Sequence, residues 1–99
     1  MNEEKQIIIT NIINNDVKSL KIMMNKTVKE LKKEIESLFG LNYSLNEINI
    51  QYKNPYMKTP RTISEQNETK MLYQLKFVSD TMIYFGKEKN RGGLKLGII

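Results

Sequence analysis

The segment Thr27-Val28-Lys29-Glu30-Leu31-Lys32-Lys33-Glu34-Ile35-Glu36-Ser37-Leu38-Phe39-Gly40-Leu41 constrains the fold more than any other part of the chain. Val28, Leu31, Ile35, Leu38 and Phe39 recur at the spacing that gathers one face of a 3.6-residue period, so the segment predicts an amphipathic helix over about 27–39. Thr27 and Glu30 form a T-x-x-E capping box that sets its start. Gly40 can adopt the left-handed conformation after the last turn, and Leu41 is placed to fold back onto Ile35 as in a Schellman ending. A Lys32–Glu36 pair at i, i+4 adds only a few tenths of a kcal/mol, so the helix depends on laying its apolar face against a partner. Lys32, Lys33, Glu34 and Glu36 are expected on the solvated side.

Both flanks of this helix read as strands, which makes the partner a sheet. Upstream, Gln6 to Ile12 is rich in β-branched residues, and Lys18 to Met24 alternates with Leu20, Ile22 and Met24 on one face. Asn14-Asn15-Asp16 supplies the turn of a hairpin between them. Three consecutive isoleucines, Ile7, Ile8 and Ile9, leave the inward phase of the first strand open. Downstream, Leu45 to Tyr52 alternates with Ile48, Ile50 and Tyr52 inward, and a loop follows that contains Pro55 and Pro60, with Tyr56 and Met57 as side chains that can pack back. Arg61 to Asn67 suggests a short helical turn bringing Ile63 into the core. The alternation of Met71, Tyr73, Leu75 and Phe77 predicts another strand; Ser79-Asp80 predicts a turn; Thr81 to Phe85 predicts a last strand ended by Gly86.

A chain of 99 residues supports one small core. The order β-β-α-β-β, with a helix after an N-terminal hairpin, describes an α+β domain of the β-grasp type, a mixed four- to five-stranded sheet over one main helix. The expected organisation is a domain over residues 1–86 and a flexible tail over 87–99.

There is no cysteine and no histidine, which removes thiolate metal sites, disulfides and the usual general base near neutral pH. Serines and acids show no spacing that assembles a nucleophile with a base or paired carboxylates, so catalytic residues, metal ligands and cofactors are all expected to be none. Sixteen Lys and Arg against 11 Asp and Glu give a net charge of +5. These charges are spread along the chain, which fits a solvated surface; an acidic partner such as nucleic acid is the alternative. Tyr52, Tyr56, Tyr73, Tyr84, Phe77 and Phe85 with interleaved lysines could form a stacking platform, but their alternation turns most of them inward. No apolar run approaches the ~18 residues of a membrane span and the start does not read as a signal peptide, so a monomeric protein of the cytoplasm or nucleus is expected.

Two stretches resemble ubiquitin and its relatives. Thr27 to Leu41 is similar to the ubiquitin helix without a gap, and Arg61-Thr62-Ile63-Ser64-Glu65 followed by Asn67 is similar to the Arg-Thr-Leu-Ser-Asp-Tyr-Asn stretch before the last ubiquitin strand. With the order of strands, the likeness covers roughly residues 6–78. It implies a ubiquitin-like domain that binds other proteins, receptors or conjugation machinery, through its sheet surface. The family's binding patch is centred on an isoleucine of the third strand; that place falls on Asn49 here, and Lys53 falls where ubiquitin carries a chain-forming lysine. The surface expected to meet partners comprises Lys21, Asn49, Gln51, Lys53 and Gln74.

Arg91-Gly92-Gly93 resembles the end of conjugated ubiquitin, and implies as an alternative a modifier processed to Gly93 and joined to target lysines. In ubiquitin the motif follows the last core strand almost at once, whereas here Ser79 to Asn90 intervene between Phe77-Val78 and Arg91, a departure from the family. Six residues, Leu94 to Ile99, follow the glycines, and a flexible hinge is the other reading of Gly92-Gly93. A basic nucleic-acid-binding domain is the rival from another class.

Overall fold

In the computed structural model, which describes residues 3–88, β1 (Glu4–Asn11) and β2 (Asp16–Met23) form a hairpin, α1 spans Val28–Phe39, and β3 (Ile48–Lys53), β4 (Arg61–Thr62) and β5 (Thr81–Glu88) complete one five-stranded sheet. The sheet order is β2-β1-β5-β3-β4. β1 and β5 run parallel and every other pair is antiparallel. Parallel neighbours need a crossover, and the long excursion between β2 and β5, which carries α1, supplies it.

The helix forms as its sequence dictates. Thr27 Oγ1 accepts from the Glu30 N–H at 3.2 Å and the Glu30 carboxylate accepts from the Thr27 N–H at 2.9 Å. Gly40 takes φ 61° and ψ 41°, and Leu41 N–H donates to Glu36 C=O at 2.9 Å, which completes the Schellman ending. Two more N–H groups of the first turn are satisfied from a distance: Val28 donates to Lys70 C=O and Lys29 to Glu68 C=O. Val28, Leu31 and Ile35 are buried against Ile7, Ile9, Ile22, Ile50, Ile83 and Phe85. Ile7 and Ile9 point inward and Ile8 outward, which settles the phase that three isoleucines concealed.

Because the capping hydrogen bonds hold the Glu30 carboxyl below the ordinary carboxylate range, the cap is strongest above pH 4.5. As pH falls through the lower folded-state value the carboxylate is protonated and its contribution disappears. In Glu30→Gln the acid branch of a pH–stability titration is therefore expected to be shallower than in the parent; superimposable acid branches would show the box to be energetically silent.

Several expectations are corrected. Met71 to Phe77 is not a strand: Leu72–Leu75 is a 3-10 turn, closed by Lys76 at φ 68°. Leu72 and Phe77 are buried while Tyr73 and Gln74 are exposed, and the place beside β1 is occupied by β5. A strand needs a neighbour, and β5 holds the place between β1 and β3 that this segment would take. Leu45–Glu47 is likewise a 3-10 turn before β3. Arg61–Thr62 pairs with β3, and the helical turn comes afterwards at Glu65–Asn67, with Ile63 buried as expected. Tyr56 does not pack back: it is 85% exposed, whereas Met57 lies against the core.

Gly86 does not end the strand that begins at Thr81, which runs on to Glu88. Phe85 pairs with Ile50 and Lys87 with Asn49, which leaves Gly86 as the extra residue of a β-bulge at φ 130°. A Cβ there would sit 3.0 Å from Asn11 Oδ1 and 3.0 Å from Ile13 Cγ1. Gly86→Ala is expected to cost about 2 kcal/mol, combining backbone strain with the crowding of Asn11. Urea denaturation measures this, and a loss under about 0.5 kcal/mol would mean the bulge relaxes freely.

Lys32 was expected on the solvated helix face and is buried. Its Nζ donates to Glu68 Oε2 at 2.6 Å and to Asn46 Oδ1 at 3.0 Å. Glu36, the i+4 partner expected for it, instead accepts from the Leu45 N–H at 2.8 Å. Both side chains therefore tie α1 to neighbouring loops.

Candidate functional site

One face of the sheet is covered by α1 and the other is open. On β1 the open face carries Gln6, Ile8 and Thr10; on β5, Met82 and Tyr84; on β3, Asn49, Gln51 and Lys53; on β2, Val17, Ser19 and Lys21. Registration arranges these in rows across the strands. One row reads Ser19, Ile8, Met82, Lys53, and the next reads Val17, Thr10, Tyr84, Gln51, Thr62. At the usual ~4.8 Å strand spacing the span from β2 to β3 is about 14 Å. Ile8, Met82 and Tyr84 thus stand in the middle together with Thr10, and the margin carries Ser19, Lys21, Gln51 and Lys53 as well as the apolar Val17.

Rigidity comes from the buried side. Phe85, between Tyr84 and Gly86, packs edge-on against Phe39 with ring centroids 5.1 Å apart, and Ile83 is fully buried. Residues that alternate with them are fixed outward by the strand's own period. The Tyr84 hydroxyl donates to Met82 Sδ at 3.3 Å, which links the two central side chains of β5. At the end of the face, the turn after β1 exposes Ile12 and Ile13, and Val17, the second residue of β2, is exposed as well. Ile12 N–H donates to Phe85 C=O at 2.8 Å and Ile13 N–H to Asn11 Oδ1 at 3.0 Å, so this apolar tip is held at the backbone.

Of the residues singled out from sequence, Asn49, Gln51 and Lys53 lie together along β3, half-buried and outward. Lys21 is on the same face at its far margin, opposite Gln6. Gln74 does not join them. It belongs to the 3-10 turn, where its Oε1 accepts from the Met71 N–H at 2.8 Å. Arg91, Gly92 and Gly93 lie outside the described residues. Sequence reasoning missed the centre of the face, Ile8, Thr10, Met82 and Tyr84. Their signal was parity: once Ile7, Ile9, Ile83 and Phe85 are inward, their neighbours must face out.

Of the six rings weighed as a stacking platform, Tyr52, Phe77 and Phe85 are buried, Tyr52 and Phe77 being stacked at 5.0 Å. Tyr84 is half-buried, and Tyr56 and Tyr73 are exposed at separate places. Among the described residues no group of three or more acidic side chains is placed to hold a metal ion. A cleft of about 100 Å³ between α1 and the turn at Ser44 and Asn46 is lined by Lys29, Lys32, Lys33 and Glu36; Lys32 and Glu36 are already engaged as described. No helix among the described residues is long and apolar enough to cross a membrane.

No protein-family model and no curated protein matches the sequence. Among solved structures, the chain is similar to the C-terminal ubiquitin-like domain of mouse tubulin-specific chaperone e, with a TM-score of 0.63 and 16% identity over 91% of this chain and 90% of that one. It is also similar to a computationally designed protein based on human erythrocytic ubiquitin, with a TM-score of 0.59 and 24% identity over 92% of this chain and 99% of the design. The fold is the ubiquitin-like β-grasp.

Proposed function

We propose that this ubiquitin-like domain binds other proteins through the open face of its sheet. The observation that carries this reading is the pair of registered rows, in which Ile8, Met82 and Tyr84 lie on the open side at the centre beside Thr10, with Val17 and the polar Gln51, Lys53, Ser19 and Lys21 around them. A mainly apolar centre with a mainly polar margin is the composition of a protein-recognition surface. Asn49 makes the β3 side of the face polar, so a partner must meet amides there and bury its apolar groups against β1 and β5. To test this, proteins cross-linked to the wild-type chain in its own cells would be compared with those cross-linked to Tyr84→Lys and Met82→Lys. Loss of the same partners from both variants, with unchanged circular dichroism, is expected. Retention of every partner would remove the sheet face from consideration.

A second reading has an observation of its own. Because β5 and not the segment at 71–77 is the last strand among the described residues, only Lys89 and Asn90 stand in sequence between Glu88 and Arg91-Gly92-Gly93. The departure in spacing inferred from sequence therefore disappears, which favours a modifier processed to Gly93. Intact-mass measurement of the endogenous protein separates the readings: a species ending at Gly93 supports the modifier, and retention of Leu94 to Ile99 in every molecule removes it.

A further inference from the structure

Two lysines of α1 stand without a carboxylate. Lys29 and Lys33 are exposed, lie one turn apart on the same side of the helix, and take no part in a salt bridge among the described residues. The acids that could have met Lys33 are engaged elsewhere: Glu36 accepts from the Leu45 N–H, and Glu30 from the Thr27 N–H. Like charges at this spacing repel, so the helix keeps an unneutralised positive pair. That pair borders the cleft between α1 and the turn at Ser44 and Asn46, on the helix side of the domain and away from the open sheet face.

The other polar groups lining this cleft are donors with hydrogens to spare. Lys32 Nζ carries three N–H groups and has two acceptors, Glu68 Oε2 and Asn46 Oδ1. Asn46 accepts with its oxygen, which leaves the amide N–H groups of its side chain to donate. Ser44 Oγ accepts from the Asn46 N–H at 3.1 Å, which leaves its hydroxyl hydrogen. The acceptors are occupied in turn, Glu36 by the Leu45 N–H at 2.8 Å. Three ammonium groups stand against the Glu36 carboxylate, and a net charge of +1 remains when Glu68, the partner of Lys32, is counted as well. The volume of about 100 Å³ is several times the ~10–15 Å³ that one water needs.

We propose that this cleft binds a phosphate group, free or as a monoester, with Lys29 and Lys33 as an outer clamp and Lys32, Asn46 and Ser44 as donors within. A phosphate monoester presents three strong acceptor oxygens on one tetrahedral end, so it can take hydrogen bonds from the helix and from the 44–46 turn at once. Lys32 gives the site its fixed point. Its side chain is 7% exposed and is held by Glu68 and Asn46 before any anion arrives, and a charge-assisted bond from an ammonium to a phosphate oxygen is of the strong kind.

The probes are inorganic phosphate and N-acetyl-phosphoserine amide, titrated separately into the full chain at neutral pH and constant ionic strength and followed by the amide NMR spectrum. Saturable shifts of Lys33, Ser44 and Asn46 are expected with at least one probe, and none at Ile8, Met82 or Tyr84. Acetate, which offers a planar pair of oxygens and a single charge, is expected to bind about tenfold more weakly. Replacing both exposed lysines, Lys29→Gln with Lys33→Gln, is expected to weaken phosphate binding about tenfold while the circular dichroism spectrum stays unchanged. Glu36→Gln keeps an oxygen for the Leu45 N–H and removes the negative charge of the lining, so it is expected to tighten binding about fivefold; a merely structural Glu36 would leave affinity unmoved. Tighter binding of the phosphoserine amide assigns the group to a phosphorylated polypeptide, and equal or tighter binding of inorganic phosphate assigns it to the free anion; either supports the site. Shifts that rise linearly with both probes, acetate bound as well as phosphate, or an affinity that neither the lysine pair nor Glu36→Gln alters would each overturn the proposal.

Discussion

Phe85→Ala is expected to remove about 4 kcal/mol of folding stability, the largest effect of any single substitution considered for this chain. Phe85 lies on β5, the central strand, is 1% exposed, and meets Phe39 edge-on at 5.1 Å. Truncation deletes the transfer free energy of a ring and leaves a void that strands on both sides hinder from closing. A domain of this length commonly has about 5–15 kcal/mol in total, so the variant would stand near its unfolding threshold at room temperature. Its neighbour Tyr84 supplies the control. Tyr84→Ala, on the open face, is expected to cost under about 1 kcal/mol. Urea denaturation of the two variants tests this contrast directly, and equal losses would contradict the assignment of inner and outer faces on β5.

The next largest effect concerns a residue whose charge suggests a surface role. Glu68→Ala is expected to destabilise by about 3 kcal/mol, because it leaves the Lys32 ammonium buried with Asn46 as its remaining partner. The Lys32 side chain is 7% exposed and that of Glu68 24%, so the carboxylate retains some water and the value sits at the low end for a buried pair. Backbone bonds hold the two together: Lys29 N–H donates to Glu68 C=O at 3.1 Å and Val28 N–H to Lys70 C=O at 3.0 Å, strapping the 68–70 segment across the start of α1. The double variant Lys32→Met, Glu68→Ala removes the charge together with its partner and is expected to recover most of the loss. A double variant as unstable as Glu68→Ala would show that Glu68 acts through the strap and not through the ion pair.

Helix α1 was legible because all of its determinants are local. The cap, the apolar stripe and the terminal glycine lie within Thr27 to Leu41, and the structure carries each of them, except that Leu38, counted in the stripe, is 37% exposed. β3 was legible for the same reason, as Ile48, Ile50 and Tyr52 carry the period without interruption. The segment Met71 to Phe77 was misread because its apolar residues at 71, 73, 75 and 77 fit a period of two by composition alone, whereas the 3-10 turn buries Leu72 and Phe77, packs Leu75 partly against the core and leaves Met71 and Tyr73 exposed. Lys32 was misread because a lysine at a helix position gives no sign of the carboxylate 36 residues away that receives it.

For the candidate site, β3 supplied Asn49, Gln51 and Lys53 from sequence, while the central apolar residues came only with the register of β1 against β5. The sequence by itself determined that a capped amphipathic helix must rest on strands made from the segments around it, since period and capping are properties of neighbouring residues. Only the tertiary structure decided which strand takes the place beside β1, and therefore which side chains face out together. Strand neighbours are chosen by contacts between residues far apart in the chain, and a local pattern cannot encode them.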